Sequence, residues 1–381
     1  MILFLFAFFL LYGALHLYIF LKIKGALVFG TVPSIFLIFF MGIMICAPVI
    51  VRISEKHGLD FSARLVSHIG YTWMGIAFLF FSFSVIFDLY RFFVYGGALI
   101  FHRDFSHLVP SPRFAFVAPL LVSTIIASYG YFEARDIRTE TIIIKTSKIP
   151  KGIGKLTIVQ LSDVHLGLIV RQARLKRILK EIKQANPAIL VSTGDLVDGQ
   201  IDSLPGLAEL LKTINPKYGK FAITGNHEFY AGIDQALNFT EKAGFSVLRG
   251  EALTLDGLIN IAGVDDPAGK IFGLFREVSE KELLSGLPRE KFTLLLKHRP
   301  LVDKSALGLF DLQLSGHTHK GQIFPFSLIT RLYFPADAGR FDLTNNSYLY
   351  VSRGAGTWGP PIRFLSPPEV TVIELVHNDR N

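Results

Sequence analysis

Hydrophobic residues follow two patterns along this chain, and the change comes near residue 133. Before it, apolar residues run in long stretches: 1–21, interrupted only by Gly13 and His16; a second between Lys24 and Arg52; 69–87, between His68 and Asp88; and 114–132, between Arg113 and Glu133. Each has about the ~20 residues needed to cross a bilayer core of ~30 Å. The first stretch lacks a basic start, and Lys22 and Lys24 follow it at once. That predicts an uncleaved span rather than a removable leader. Residues 92–101 are apolar but too short to span, and are expected to be interfacial. His16 is expected to face a neighbouring helix.

After residue 133 the apolar runs shorten and alternate with helical periods. Strands are predicted at 156–161, 188–193, 220–224, 258–262, 292–297, 312–315, 348–352 and 370–375. Helices are predicted at 204–214 and at 171–185, where Leu175, Ile178, Leu179 and Ile182 recur at helical spacing. Strands and helices alternate, then strands dominate, which predicts an α/β sandwich. The expected division is a membrane region with four transmembrane helices over 1–135, a linker over 136–150 and a soluble domain over 151–381.

Composition sharpens this division. Half the residues are hydrophobic and the mean hydropathy is +0.43, high for a soluble protein. The net charge is +8, and residues 1–150 carry 12 basic against 7 acidic side chains, where flanking Lys and Arg are expected. The soluble part is only mildly basic, so nucleic acid is not an expected partner. Four spans place the N-terminus and the soluble domain on one side; the basic residues flanking the spans nearly balance, and the expectation is a cytoplasmic domain. The single cysteine, Cys46, lies in an apolar stretch. The soluble part therefore has no thiolate metal site, and a metal there must be held by His, Asp, Glu or Asn.

Such residues gather at the ends of the predicted strands. Asp163 and His165 follow one in LSDVHLG, Asp195 the next in STGDLVDG, and Asn226 and His227 a third in ITGNHEF. His298 ends LLLKHRP, and His317 and His319 end LSGHTHKG. In open α/β sheets the ligand site lies beyond the carboxyl ends of strands. Carboxylate with imidazole suits Mn, Fe or Zn. Two ligands two residues apart on an extended segment point the same way, and glycines before Asp195, Asn226 and His317 allow turns that bring backbone near an ion. Singly, each block is ordinary: a loop pair, a turn, a core histidine. Together they take five of the six histidines beyond residue 150, which packing does not explain.

This ordered set, D-x-H, G-D, G-N-H-E, H and G-H-T-H, resembles the calcineurin-like metallophosphoesterase superfamily over about residues 155–375. With the closing SRGAGTWGPPIRF segment it is similar to the branch of transmembrane proteins with a metallophosphoesterase domain, which includes bacterial membrane-associated phosphodiesterases. The G-D-x-x-[DE] tail of the second motif is kept as Asp195 and Asp198. The resemblance implies a four-layer αββα sandwich and two divalent metal ions, Mn²⁺, Fe²⁺ or Zn²⁺. One would be held by Asp163, His165, Asp195 and His319, the other by Asp195, Asn226, His298 and His317, with Asp195 bridging. His227 would act beside the scissile phosphate while a metal-bridging hydroxide attacks phosphorus in line. Arg299 and Arg363 are open between phosphate contact and solvated surface.

The implied activity is hydrolysis of a phosphodiester or pyrophosphate bond. A basic helix carrying Arg171, Arg174, Lys176, Arg177, Lys180 and Lys183 is either a solvated face or an attraction to anionic lipid. The expected partners are membrane lipids and a phosphorylated, lipid-linked substrate such as UDP-2,3-diacylglucosamine. The alternatives are a tethered phosphoesterase for soluble nucleotides or phosphoproteins, and a non-catalytic membrane sensor of phosphorylated ligands.

Overall fold

A computed structural model describes residues 2–199 and 206–379. The chain divides into two compact units, Met1–Phe132 with Gly359–Ile362, and Glu133–Trp358 with Arg363–Asn381. The first holds the helices α1 (Ile2–Ala26), α2 (Thr31–Lys56), α3 (Asp60–Phe101) and α4 (Phe114–Glu133). All four are long and apolar enough to cross a membrane. Gly70 of α3 lets α2 approach so closely that a Cβ there would lie 2.5 Å from that of Ala47, the small-residue contact common between apolar helices. His16 is buried, and Trp73 Nε1 donates to its Nε2 at 2.8 Å. Residues 92–101 are not a separate interfacial segment: they continue α3, because the polar break at Asp88 and Arg91 contains no Gly or Pro to end a helix.

The second unit contains, in order, β1 (Arg138–Thr146), β2 (Lys155–Leu161), α5 (Gln172–Ala185), β3 (Ile189–Ser192), α6 (Leu207–Lys212), β4 (Lys220–Ala222), α7 (Asn226–Ala231), α8 (Ile233–Lys242) and β5 (Ser246–Val247). Then come β6 (Glu251–Leu255), β7 (Ile259–Gly263), α9 (Glu280–Ser285), β8 (Phe292–Leu296), β9 (Leu312–Ser315), α10 (Phe326–Tyr333), β10 (Gly339–Asp342), β11 (Tyr348–Val351) and β12 (Glu369–His377). The strands form two six-stranded sheets, ordered β1-β12-β2-β3-β4-β5 and β10-β11-β9-β8-β7-β6. The predicted helix at 204–214 is shorter, and residues 204–205 lie outside the described residues.

Alternation along each strand explains the layers. In β2, Leu156 and Ile158 join Val191, Ile261, Leu294 and Leu314 in a core between the two sheets. Val159 and Leu161 point the other way, against Leu175, Ile178, Leu179 and Ile182 of α5. In β8, Leu294 and Leu296 face the inter-sheet core while Leu295 packs with Leu284 of α9. The result is a four-layer αββα sandwich. Burial of the four α5 side chains is worth about 1.5–3 kcal/mol each, which holds a helix whose other faces are crowded with like charges.

The segment expected as a linker is not structureless. It carries β1, which pairs in parallel with β12 from Arg138↔Glu369 to Thr146↔His377. Its partner comes from the far end of the chain, which no local pattern shows.

Candidate active site

Strands β2, β3 and β4 run parallel to one another, as do β8 and β9, so their carboxyl ends lie on one rim. Every predicted site residue is delivered there. Asp163 and His165 follow β2, Asp195 follows β3, Asn226 and His227 open α7 after β4, His298 follows β8, and His317 and His319 follow β9.

The short segments bearing them are not extended. Asp163, His165, Asp195, His317 and His319 all have positive φ, between 49° and 72°. For non-glycine residues that costs about 1–3 kcal/mol each, and such strain concentrates at functional sites. The glycines before the ligands also work differently from expectation. Only Gly194 has a positive φ (93°). A Cβ on Gly225 would sit 2.2 Å from Asp195 Oδ1, and one on Gly316 would sit 2.0 Å from Ser162 Oγ. These glycines let neighbouring loops touch one another rather than an ion.

Three groups of donor atoms converge, each within 4.8 Å of one another: Asp163, His165 and His319; Asp195, His298 and His317; and His165, Asp195 and His227. Asp195 Oδ2 lies 3.8 Å from His165 Nε2 and 3.2 Å from His298 Nε2. His165 Nε2 lies 3.0 Å from His319 Nε2, which is 3.4 Å from Asp163 Oδ1. His298 Nε2 lies 3.2 Å from His317 Nδ1 and 3.3 Å from Asn226 Oδ1. Ring nitrogens this close, facing carboxylates, need a shared proton or cation between their lone pairs. Buried imidazole and carboxylate without thiolate fit a divalent transition metal.

Backbone contacts fix the donors. The His317 N–H donates to both Asp163 oxygens at 3.0 and 3.1 Å, joining the loops of the two sheets. His298 Nδ1–H donates to Thr193 O at 2.8 Å, which turns Nε2 inward. The His227 N–H donates to Asp195 Oδ1 at 2.8 Å.

The electrostatics follow from burial and proximity. Burial alone would raise Asp163 and Asp195, but neighbouring histidines outweigh it and hold both below the ordinary carboxylate range. Burial opposes charge on His227 too, yet Asp195 and Asp198 push it up to about 10. His298 is likewise raised to about 10 against burial, chiefly by Asp195. Burial and the neighbouring His298 lower His317 to about 3, and burial takes His319 to about 4.

Three supporting groups went unassigned in the sequence. Asp198 Oδ1 lies 3.0 Å from His227 Nδ1 and 3.3 Å from His165 Nδ1, and the Asp198 carbonyl, 3.0 Å from His227 Nδ1, orients that ring. The Glu228 carboxylate accepts the N–H groups of Gly225 at 2.7 Å, Asp195 at 2.9 Å and Leu196 at 2.8 Å, tying the β3 and β4 loops together. The Glu in GNHEF was its only signal. Arg174, counted with the basic helix face, is instead half-buried and donates to the carbonyls of Ala355 and Gly356.

The two arginines left open are both engaged. Arg363 is fully buried, donates to the carbonyls of Arg353, Gly356 and Ser366, and places Nη2 3.0 Å from His319 Nδ1. It pins the SRGAGTW loop against the site. Arg299 is held by both oxygens of Asp266 at 2.8 and 3.0 Å.

A family model described as calcineurin-like phosphoesterase matches residues 156–321, which includes every one of the converging donors. An uncharacterized metallophosphoesterase of Aquifex aeolicus is 42% identical over 257 residues, covering 67% of this chain and 98% of that protein. One of Campylobacter jejuni is 35% identical, covering 69% of this chain and 70% of its own length. A transmembrane protein with metallophosphoesterase domain of Danio rerio is 31% identical, covering 68% and 62%. Among solved structures, a 5'-nucleotidase precursor from Thermus thermophilus covers 58% of this chain and 54% of its own length at 16% identity and a TM-score of 0.34. A buried rim of imidazoles and carboxylates at the strand ends of an αββα sandwich defines a metal-dependent phosphoesterase domain. The chain belongs to the calcineurin-like metallophosphoesterase family.

Proposed function

We propose that this chain is a membrane-anchored, two-metal phosphoesterase that hydrolyses a phosphodiester or pyrophosphate bond of a lipid-linked substrate. The observation that carries the two-metal reading is the placement of Asp195 Oδ2 between His165 and His298, at 3.8 and 3.2 Å. One carboxylate thereby serves two donor sets: Asp163, His165 and His319 on one side, Asn226, His298 and His317 on the other. The donor chemistry suits Mn²⁺, Fe²⁺ or Zn²⁺. What bound ions would supply is Lewis acidity and a water acidic enough to attack at neutral pH.

The chain's own groups do the rest. Asp163 and Asp195 stay ionised. His298, with Nδ1–H fixed on Thr193 O, presents Nε2, and loading that nitrogen releases a proton. His227 holds its proton at neutral pH because Asp195 and Asp198 face it. With Nδ1–H on Asp198, its Nε2 is the atom that can donate to the leaving oxygen. The four apolar helices supply the anchor, with the catalytic unit on the cytoplasmic side. Confinement beside lipid supports the substrate class.

The test is hydrolysis of bis-p-nitrophenyl phosphate by wild type and His319→Ala, each titrated with Mn²⁺. Metal-dependent turnover in the wild type and its loss in the variant are expected. Metal-loaded wild type inert on this diester and on UDP-2,3-diacylglucosamine would favour a binding protein instead.

A further inference from the structure

A surface helix of a soluble protein ordinarily turns its apolar stripe inward. Helix α10 does the reverse. Its only buried residue is Ser327, while Leu328, Ile329, Leu332 and Tyr333 are 55%, 46%, 80% and 75% exposed. At 3.6 residues per turn these four positions share one outward face. Trp358, on the loop bonded to Gln322 just before the helix, is also exposed.

The helix is fastened to the loop that carries His317 and His319. Gly321 approaches it so closely that a Cβ would lie 2.4 Å from the backbone of Ser327. Thr318 Oγ1 donates to Asp337 O at 2.5 Å, and Arg331 of α10 pairs with the Asp337 carboxylate at 2.8 Å. The ring of Phe334, which ends the helix, stands edge-on to that of His317 at 5.2 Å. An apolar face held this firmly at a site, and left uncovered, marks a docking surface.

We propose that α10 is an interfacial helix whose face of Leu328, Ile329, Leu332 and Tyr333 enters the headgroup boundary of the bilayer, holding the mouth of the site at the lipid surface. The inference rests on the membrane reading of α1–α4. Lipid is the occupant that the rest of the chain calls for: four helices apolar enough to cross a membrane precede the catalytic unit. Only residues 134–137 separate α4 from β1, a reach of at most about 14 Å. Aromatic side chains with a polar tip, such as Tyr333 and Trp358, favour the headgroup level, and an amphipathic helix lying in that plane buries its apolar side there.

The test uses the full chain in liposomes, with Cys46→Ser as background and single cysteines carrying an environment-sensitive fluorophore. Leu332→Cys reports on α10, Phe36→Cys on α2, and Glu277→Cys on an exposed acidic position. Lipid bearing a doxyl group near the top of its acyl chain should quench the probes at 332 and 36 several-fold more than that at 277. Iodide should quench 277 most. If 36 is quenched by lipid but 332 stays open to iodide, the interfacial helix is wrong and the membrane reading stands. If 332 is shielded from iodide yet untouched by the doxyl lipid, protein covers the face and the inference also fails. If 36 is not quenched, the membrane reading itself falls.

Discussion

The two sheets of the catalytic unit bring unlike chemistry to one rim. Every carboxylate in the converging clusters, Asp163 and Asp195, follows a strand of the first sheet, as do the orienting groups Asp198 and Glu228. The second sheet supplies imidazoles, His298, His317 and His319. Both carboxylates of the clusters lie on one side of the sandwich, together with His165 and His227, and the other side brings imidazole alone. The first sheet by itself brings together only His165, Asp195 and His227, and the groups that include His319, or His298 and His317, need both sheets. The site exists because the sandwich closes, and the His317 N–H on Asp163 is the contact where the two contributions meet.

That comparison is sharpest at Asp195, the carboxylate shared by two donor groups. Asp195→Asn removes the charge common to both donor groups and should lower hydrolysis of bis-p-nitrophenyl phosphate by about 10³-fold, a transition-state loss of ~4 kcal/mol. His317→Ala on the second sheet should cost less, about 10–100-fold, with excess Mn²⁺ restoring part of it. Equal losses would break the division of labour between the sheets.

His227 belongs to the first sheet but is assigned a proton rather than a metal. His227→Asn should cost about 10²-fold or more in turnover while bound metal, measured by atomic absorption, stays at the wild-type level. Loss of metal together with activity would move His227 into the ligand set. Glu228 should matter less again. Glu228→Gln keeps its shape but weakens the charged clasp on three backbone N–H groups, and should reduce metal affinity by about tenfold with the fold intact by circular dichroism.

The smallest effect concerns stability. Lys220 on the first sheet is buried with carbonyl acceptors, Leu211 O and Ala243 O, whereas Lys297 beside the second sheet is paired with Glu280 at 2.5 Å. Burial, with help from Lys212, pushes Lys220 down to about 8 from the ordinary 10.5. Between those values the unfolded chain binds more protons than the folded one, so this residue makes stability rise with pH across that window. Lys220→Met should flatten that rise by a few °C of Tm, the scale on which about 1 kcal/mol moves a unit of this size. An unchanged pH profile would mean that the folded chain keeps the ordinary amine.

What the sequence showed, and what it hid, follows from the range of each interaction. The strands β2, β8 and β9 were legible because their alternation is local, and the site residues because Asp, His and Gly recur at strand ends. β1 was hidden because RTETIIIKT makes sense as a strand only beside β12. α10 was hidden because its apolar face points outward and leaves no inward stripe to detect. The clasp at Glu228 needs the Asp195 loop, and the left-handed backbone at five site residues carries no glycine to announce it.

The pairing of β1 with β12 also sets a timetable. β12 lies between β1 and β2 in the sheet, yet residues 147–368 are made between the first of these strands and the last. At synthesis rates of about 5–20 residues per second, β1 waits roughly 10–45 s for its neighbour. The first sheet therefore closes only once β12 has been made, long after the apolar helices have emerged, and a chain stopped short of Glu369 leaves a bare strand edge on each side of the gap.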